Sequence, residues 1–220
     1  MIKAVLWDLD GTLVDSAEFH WQAWRDVMAE AGSPITYEQF VHSFGKRNDL
    51  ILSGWLGERS DPGRLRRLSE EKEARFRALV LAHGIEPLPG VGEWVARLHA
   101  EGWRHAIATS APRLNLETLV DAMEMRQFFD ADVAAEDVTH GKPDPEVFLL
   151  AASRLGADPG RSIVVEDAPT GIEAGRRAGM RTIGVSLMHI LSAADVCVRT
   201  LPDLPADTFA HLLEGVRSPR

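Results

Sequence analysis

The 220-residue chain is 45% hydrophobic with a formal net charge of −9, enough apolar material for one sizeable core, or a core with a smaller insert. No apolar stretch approaches the ~20 residues of a bilayer span, and the first residues run into a charged strand end without a cleavable apolar segment, so a cytoplasmic location is expected. The acidic balance argues against a nucleic-acid or membrane-surface partner and for a small-molecule one, and a lone cysteine, Cys197, excludes an intramolecular disulfide and a thiolate zinc site.

The first apolar run, residues 2–9, ends on two aspartates in Val5-Leu6-Trp7-Asp8-Leu9-Asp10-Gly11-Thr12. Alternation with a period of two sends Asp8 and Asp10 to the same side of a strand end, and Gly11 allows a sharp turn. From 16 to 86 the periodicity is helical and no strand is expected. Phe19, Ala23, Val27 and Ala31, and later Leu65, Leu68, Lys72, Arg75, Phe76, Leu79 and Val80, recur at three- and four-residue spacing. Arginines 64, 66, 67, 75 and 77, interleaved with Glu70, Glu71 and Glu73, read as the wet face of a salt-bridged helix. The run Glu86-Pro87-Leu88-Pro89-Gly90 makes a stiff exit from this helical insert, with hinge candidates near Asp15 and Pro87.

Beyond the linker, short apolar segments at 104–109, 131–134, 162–165 and 181–185 alternate with helical patterns at 91–101, 114–123, 145–155 and 170–178. This is the signature of an α/β domain whose parallel sheet is covered on both faces. Residues 1–15 and 87–220 are therefore expected to form a core domain and 16–86 a helical one, with a loose tail after Val216.

Three further stretches carry chemistry. In His105-Ala106-Ile107-Ala108-Thr109-Ser110-Ala111-Pro112 a strand ends in two hydroxyl residues before a proline suited to the first turn of a helix. This is either a phosphate cradle or a plain helix cap. Gly141-Lys142-Pro143-Asp144-Pro145 puts a lysine in a punctuated loop. A cleft holding several carboxylates and an incoming phosphate dianion needs more positive charge than one divalent metal supplies. Ile163-Val164-Val165-Glu166-Asp167 is another strand ending on acids, and an oxygen-only ligand set suits Mg²⁺.

Together these pieces resemble the haloacid dehalogenase-like hydrolase superfamily over nearly the full chain. Motif one is Asp8-Leu9-Asp10-Gly11-Thr12-Leu13-Val14-Asp15-Ser16, motif two ends at Thr109, motif three is Lys142 and motif four is Glu166-Asp167. The resemblance implies a Rossmann-like core with a mobile helical cap inserted after motif one. It also implies Asp8 as nucleophile and Asp10 as general acid and base. Mg²⁺ would be held by Asp8, the Asp10 carbonyl oxygen and Asp167, with Glu166 ligating directly or through water. Thr109, Ser110, Lys142 and the backbone from Asp10 to Gly11 would place and neutralise the transferring phosphoryl group.

Within the superfamily the cap region is similar to the β-phosphoglucomutase branch, in which a histidine five residues after the last aspartate of motif one assists the acid/base aspartate; His20 has that spacing. The mutase pattern also has a lysine just before the cap glycine, whereas here Phe44 precedes Gly45, and Lys46 stands on the far side. Lys46 and Arg47 are candidate contacts to a sugar phosphate, or pair with Asp49 or Glu38. Trp21, Trp24 and Trp55 are cap core or apolar walls around a sugar ring.

The expected activity is Mg²⁺-dependent hydrolysis of a small sugar or polyol phosphate through an aspartyl-phosphate, by a monomer or weak dimer, with a β-phosphoglucomutase-like mutase as the alternative. Dehalogenases of the superfamily lack the acid at the Asp10 position. Phosphonate cleavage would need a Schiff-base lysine in the insert, whose lysines are Lys46 and Lys72. A signalling receiver domain also groups acids, a Thr/Ser and a lysine on a parallel sheet, but lacks the Asp-x-Asp-Gly-Thr order and the insert.

Overall fold

A computed structural model describes residues 2–43, 45–57 and 60–214; Phe44 and the tail after Val216 lie outside the described residues. The elements run β1 (Ala4–Trp7), α1 (Ala17–Glu30), α2 (Tyr37–Ser43), α3 (Asn48–Leu56), α4 (Pro62–His83), α5 (Val91–Ala100), β2 (Arg104–Ala108), α6 (Arg113–Ala122), β3 (Ala131–Val133), α7 (Glu146–Leu155), β4 (Ser162–Glu166), α8 (Pro169–Arg177), β5 (Arg181–Val185), β6 (Val196–Val198) and α9 (Thr208–Leu213).

Among the described residues the strands form one six-stranded sheet in the order β3-β2-β1-β4-β5-β6, every neighbour parallel. The first strand is thus central, with Val5 opposite His105 on one side and Ile163 on the other. This is the doubly wound order, whose ligand crevice lies beyond the carboxyl ends of the strands where the winding reverses, between β1 and β4.

Period-two alternation splits β1 between two apolar layers. Val5 and Trp7 join Trp94, Val95, Leu116, Leu119 and Phe209 from α5, α6 and α9. Ala4 and Leu6 join Val147, Phe148, Ala151 and Ala174 from α7 and α8. The strand is shorter than the apolar run around it, because the backbone turns from Leu9 onward. The N–H groups of Thr12, Leu13 and Val14 all converge on the Leu9 carbonyl, and Gly11 takes a φ of +87°. Two late elements, β6 and α9, escape the periodicity. The strand has three residues, none of them fully buried, and the helix has six.

Between β1 and β2 the chain is helical, with no strand among the described residues of 16–86. Asp61 accepts from the Arg64 N–H and Pro62 opens the first turn of α4; Gly84 ends it at a φ of +72°. Trp24, Val27, Met28, Phe40, Ile51, Leu52 and Leu68 make a separate small core within the insert, while Ala23, Phe76 and Val80 join the sheet core. Entry and exit strands lie side by side: Val14 bridges Pro87, and the Leu88 N–H donates to the Leu13 carbonyl at 2.9 Å.

The wet-face reading of α4 fails at one position. Arg66 and Glu70 are exposed and pair with each other, but Glu73 is buried beside the equally buried Lys72. Both stand on the side of the helix that carries Leu68 and Phe76, turned inward. No described helix is long and apolar enough to cross a membrane.

Candidate active site

The sequence motifs meet at the carboxyl edge of the sheet. Asp8 follows β1, and its N–H still bonds the Val165 carbonyl at 3.0 Å, which fixes it against β4. Thr109 follows β2, with its N–H on the Val133 carbonyl and its hydroxyl accepting from the Ala111 N–H, both at 3.0 Å. Pro112 stands just before α6 and not in its first turn.

Lys142 ties the edge together. Its Nζ donates to Asp8 Oδ1 at 2.5 Å and to Glu166 Oε1 at 2.7 Å; Glu166 Oε2 accepts from the Ala168 N–H at 2.6 Å. Carboxylate oxygens of Asp8, Glu166 and Asp167 lie within 4.8 Å of one another. Burial pushes the Asp8 carboxyl up to about 7, with Lys142 opposing and Glu166 and Asp10 reinforcing the shift. Burial, then the Glu166 and Asp8 charges, raises Asp167 well above the carboxylate range. Burial works against the Lys142 ammonium, but the Asp8 and Glu166 charges outweigh it and hold its pKa above the ordinary lysine value.

The group is therefore short of positive charge. Three crowded oxygen donors, two of them, Asp8 and Asp167, with raised proton affinity, are what a hard divalent cation relieves, so the residues present fit Mg²⁺. The packing is also tight: a Cβ on Gly11 would stand 2.2 Å from Asp167 Oδ2, and one on Gly171 would stand 1.7 Å from Glu166 Oε1.

Asp10 faces the same cavity from a different network. Its Oδ1 accepts from the Ser16 hydroxyl and lies 3.3 Å from His20 Nε2. On the far side of the ring, His20 Nδ1 is 2.6 Å from Lys72 Nζ, which also donates to Glu73 Oε1 at 2.9 Å. An ammonium at Nδ1 and a carboxylate at Nε2 assign the Nε2–H tautomer to His20. Phe76 stacks on the ring at 3.9 Å between centroids. Burial would raise the Asp10 pKa, but the His20 hydrogen bond and charge, then Ser16 and Lys72, bring it below the ordinary value. Burial, then Lys72, depresses His20.

The cavity above these groups measures about 350 Å³. Its floor includes Asp8, Asp10, Thr109, Ser110, Lys142 and Asp167, and the insert supplies Gly45, Lys46, Arg47 and Asn48, with Trp24, Phe40 and Ile51 as apolar wall. Arg47 lines the cavity and also pairs with Asp49, Nε to Oδ1 at 3.5 Å, while its stem lies against Gly141. Trp24 is buried in the insert core and still borders the cavity.

The sequence assigns no site role to Asn48 or Glu73, includes Ser16 only as the end of motif one, and offers Lys72 only as a Schiff-base candidate. A usable signal existed for one of them: Lys72 falls between Leu68 and Phe76 in an apolar stripe of four-residue spacing, where a solvated lysine does not belong.

Residues 2–179 match the family described as haloacid dehalogenase-like hydrolase. The chain belongs to this family. Among its haloacid dehalogenase-like relatives is the fructose-1-phosphate phosphatase YqaB of Escherichia coli K12, 33% identical over 187 residues that span 84% of this chain and 96% of that protein. Hexitol phosphatase B of the same organism is 32% identical over 212 residues, 93% of this chain and 95% of that protein. The crystal structure of β-phosphoglucomutase from Clostridium difficile superposes with a TM-score of 0.88 at 25% identity, covering 97% of each chain. The protein is thus an enzyme with the haloacid dehalogenase-like α/β fold of the β-phosphoglucomutase type.

Proposed function

We propose that this enzyme is a Mg²⁺-dependent phosphatase that hydrolyses a small sugar or polyol phosphate through an aspartyl-phosphate. The observation that carries the reading is the pair of aspartates at the floor of one cavity with opposite partners. Asp8 is held on Lys142, and Asp10 is held on Ser16 and His20. These different partners support a reading in which one attacks and the other transfers protons.

In this reading Asp8 attacks phosphorus in line with the leaving alkoxide, and Lys142 offsets charge on the nucleophile and the transferring group. Thr109, Ser110 and the N–H groups of the Asp10–Gly11 turn receive the phosphoryl oxygens. Asp10 protonates the alkoxide as it leaves, then takes a proton from the water that attacks the aspartyl-phosphate; His20 orients it for both steps. Asp8, Asp167 and the Asp10 carbonyl would hold Mg²⁺, with Glu166 reaching it through water because its oxygens already bond Lys142 and Ala168. The ion supplies charge neutralisation at the phosphoryl group.

Residues 16–86 act as the cap, swinging near Asp15 and Pro87 and bringing Gly45, Lys46 and Arg47 to the alcohol portion of the substrate. The relatives named as fructose-1-phosphate and hexitol phosphatases support a hydroxyl-rich substrate. The resemblance to β-phosphoglucomutase and the engagement of His20 with Asp10 favour a second reading, a mutase that returns the phosphoryl group to a sugar.

The test is phosphate release from a panel of sugar, polyol and nucleotide phosphates with and without Mg²⁺, together with an assay for glucose 6-phosphate from β-glucose 1-phosphate. Magnesium-dependent release concentrated on a sugar or polyol phosphate is expected. Glucose 6-phosphate with little free phosphate would establish the mutase, and no turnover of any substrate would overturn both readings.

A further inference from the structure

Asn115 lies in the first turn of α6, directly behind the Thr109 to Ala111 cradle, and is fully buried. A buried amide is tolerated when both its ends are satisfied. Here both ends reach out of the core domain. The side-chain Nδ2 donates to Glu73 Oε2, and Oδ1 accepts from Arg77 Nη1 at 2.9 Å. Glu73 and Arg77 are one helical turn apart on α4, in the insert. The asparagine is therefore satisfied by these partners only while α4 is seated on α6.

Glu73 is the junction. One of its oxygens faces Asn115; the other accepts from Lys72 Nζ at 2.9 Å and from Asn48 Nδ2 at 2.5 Å. Lys72 continues to His20 Nδ1 at 2.6 Å, and His20 to Asp10 at 3.3 Å. A hydrogen-bonded path thus runs from the helix behind the phosphate cradle, across the seam, and back to the acid/base carboxylate. Glu73 supplies the counter-charge that a buried Lys72 ammonium requires, and Asn115 fixes where that carboxylate stands.

We propose that Glu73, anchored across the seam by Asn115, is a positioning residue for Asp10: seating α4 on α6 sets Lys72, and through it His20 and the acid/base carboxylate. This rests on the phosphatase reading above for the role of Asp10, though not for the clasp itself.

Two variants of the full chain test it, Asn115→Leu and Glu73→Gln. A polyol phosphate needs its alkoxide protonated on departure, whereas p-nitrophenolate leaves without help. The expected result is that kcat/KM for the polyol phosphate falls about ten- to a hundredfold more than kcat/KM for p-nitrophenyl phosphate, in both variants. The ring ¹⁵N shifts of His20 are expected to move as well, since Nδ1 loses its fixed ammonium. Equal losses on the two substrates, or no loss, with unmoved His20 shifts would overturn the proposal. Should Asn115→Leu fail to fold, Glu73→Gln decides. Should the unmutated enzyme turn over neither substrate, the phosphatase reading falls, and the His20 shifts alone then decide whether the clasp holds the imidazole.

Discussion

A methyl group on Gly11 would stand 2.2 Å from Oδ2 of Asp167, so the first and fourth motifs interlock through a residue with no side chain. Gly11 also has a φ of +87°, which an L side chain rarely adopts. Gly11→Ala therefore meets a steric conflict and a backbone conflict at once. We expect a loss of stability of about 1–3 kcal/mol and a larger loss of activity, because relief of the clash displaces Asp167. Thermal unfolding and magnesium titration of phosphate release check the two separately.

Asp8→Asn is expected to abolish turnover while the fold persists. The proposed aspartyl-phosphate requires the carboxylate, and Lys142 retains Glu166 as a partner. Residual turnover at more than trace level would exclude Asp8 as the nucleophile.

The same residue sets a pH dependence. Its carboxyl is raised from 3.8 to about 7, so between those values the folded protein holds a proton that the unfolded chain has released. In chelator, stability should decline as pH rises from about 4 to 7, by an amount on the order of a few kcal/mol. His105, whose pKa burial lowers to about 4, contributes with the opposite sign, so the effect is read as the difference between the unmutated enzyme and Asp8→Asn. Adding Mg²⁺ should flatten it.

Asp10→Asn removes the proposed general acid and should slow hydrolysis of a sugar or polyol phosphate by ~10²–10⁴-fold. The effect on the burst of p-nitrophenolate should be much smaller, since that leaving group needs no proton. A rapid-mix comparison of the two substrates measures this.

Lys142→Met leaves Asp8 and Glu166 buried without their shared cation. Breaking such a pair from one side costs about 3–5 kcal/mol. The denaturant midpoint should drop accordingly, and the double variant Lys142→Met with Glu166→Gln should recover stability but not activity.

Much of the site was legible because its residues announce themselves locally. Asp8 and Asp10 alternate at a strand end, Thr109 and Ser110 close another, and Glu166-Asp167 closes a third, each beside a glycine or proline that marks the turn. Apart from Lys72, which falls in the Leu68–Phe76 stripe, the supporting network had no such local mark. Lys72 meets His20 across 52 positions and Glu73 meets Asn115 across 42, so their burial depends on contacts between distant helices. In isolation a Lys-Glu pair among arginines reads as a solvated face. Strand β6 escapes for a different reason: three residues at a sheet edge, two partly buried and one exposed, carry too little apolar signal to stand out. Strand order is likewise a matter of long-range pairing, and the five strand segments read from the sequence did not contain it.

The central place of β1 also bears on how the chain is made. Val5 pairs with His105 on one side and with Ile163 on the other, so β1 gains its second neighbour only once synthesis has passed β4. Until then an apolar ribbon that ends in two carboxylates has no place to bury itself, and the contacts that eventually shelter it are slow ones to form. The helical insert, with its own small core, can consolidate during that wait. Chains interrupted before β4 should therefore accumulate as aggregation-prone species with folded helices and an unformed sheet, and Asp8 should come into register only when Val165 arrives to accept its N–H.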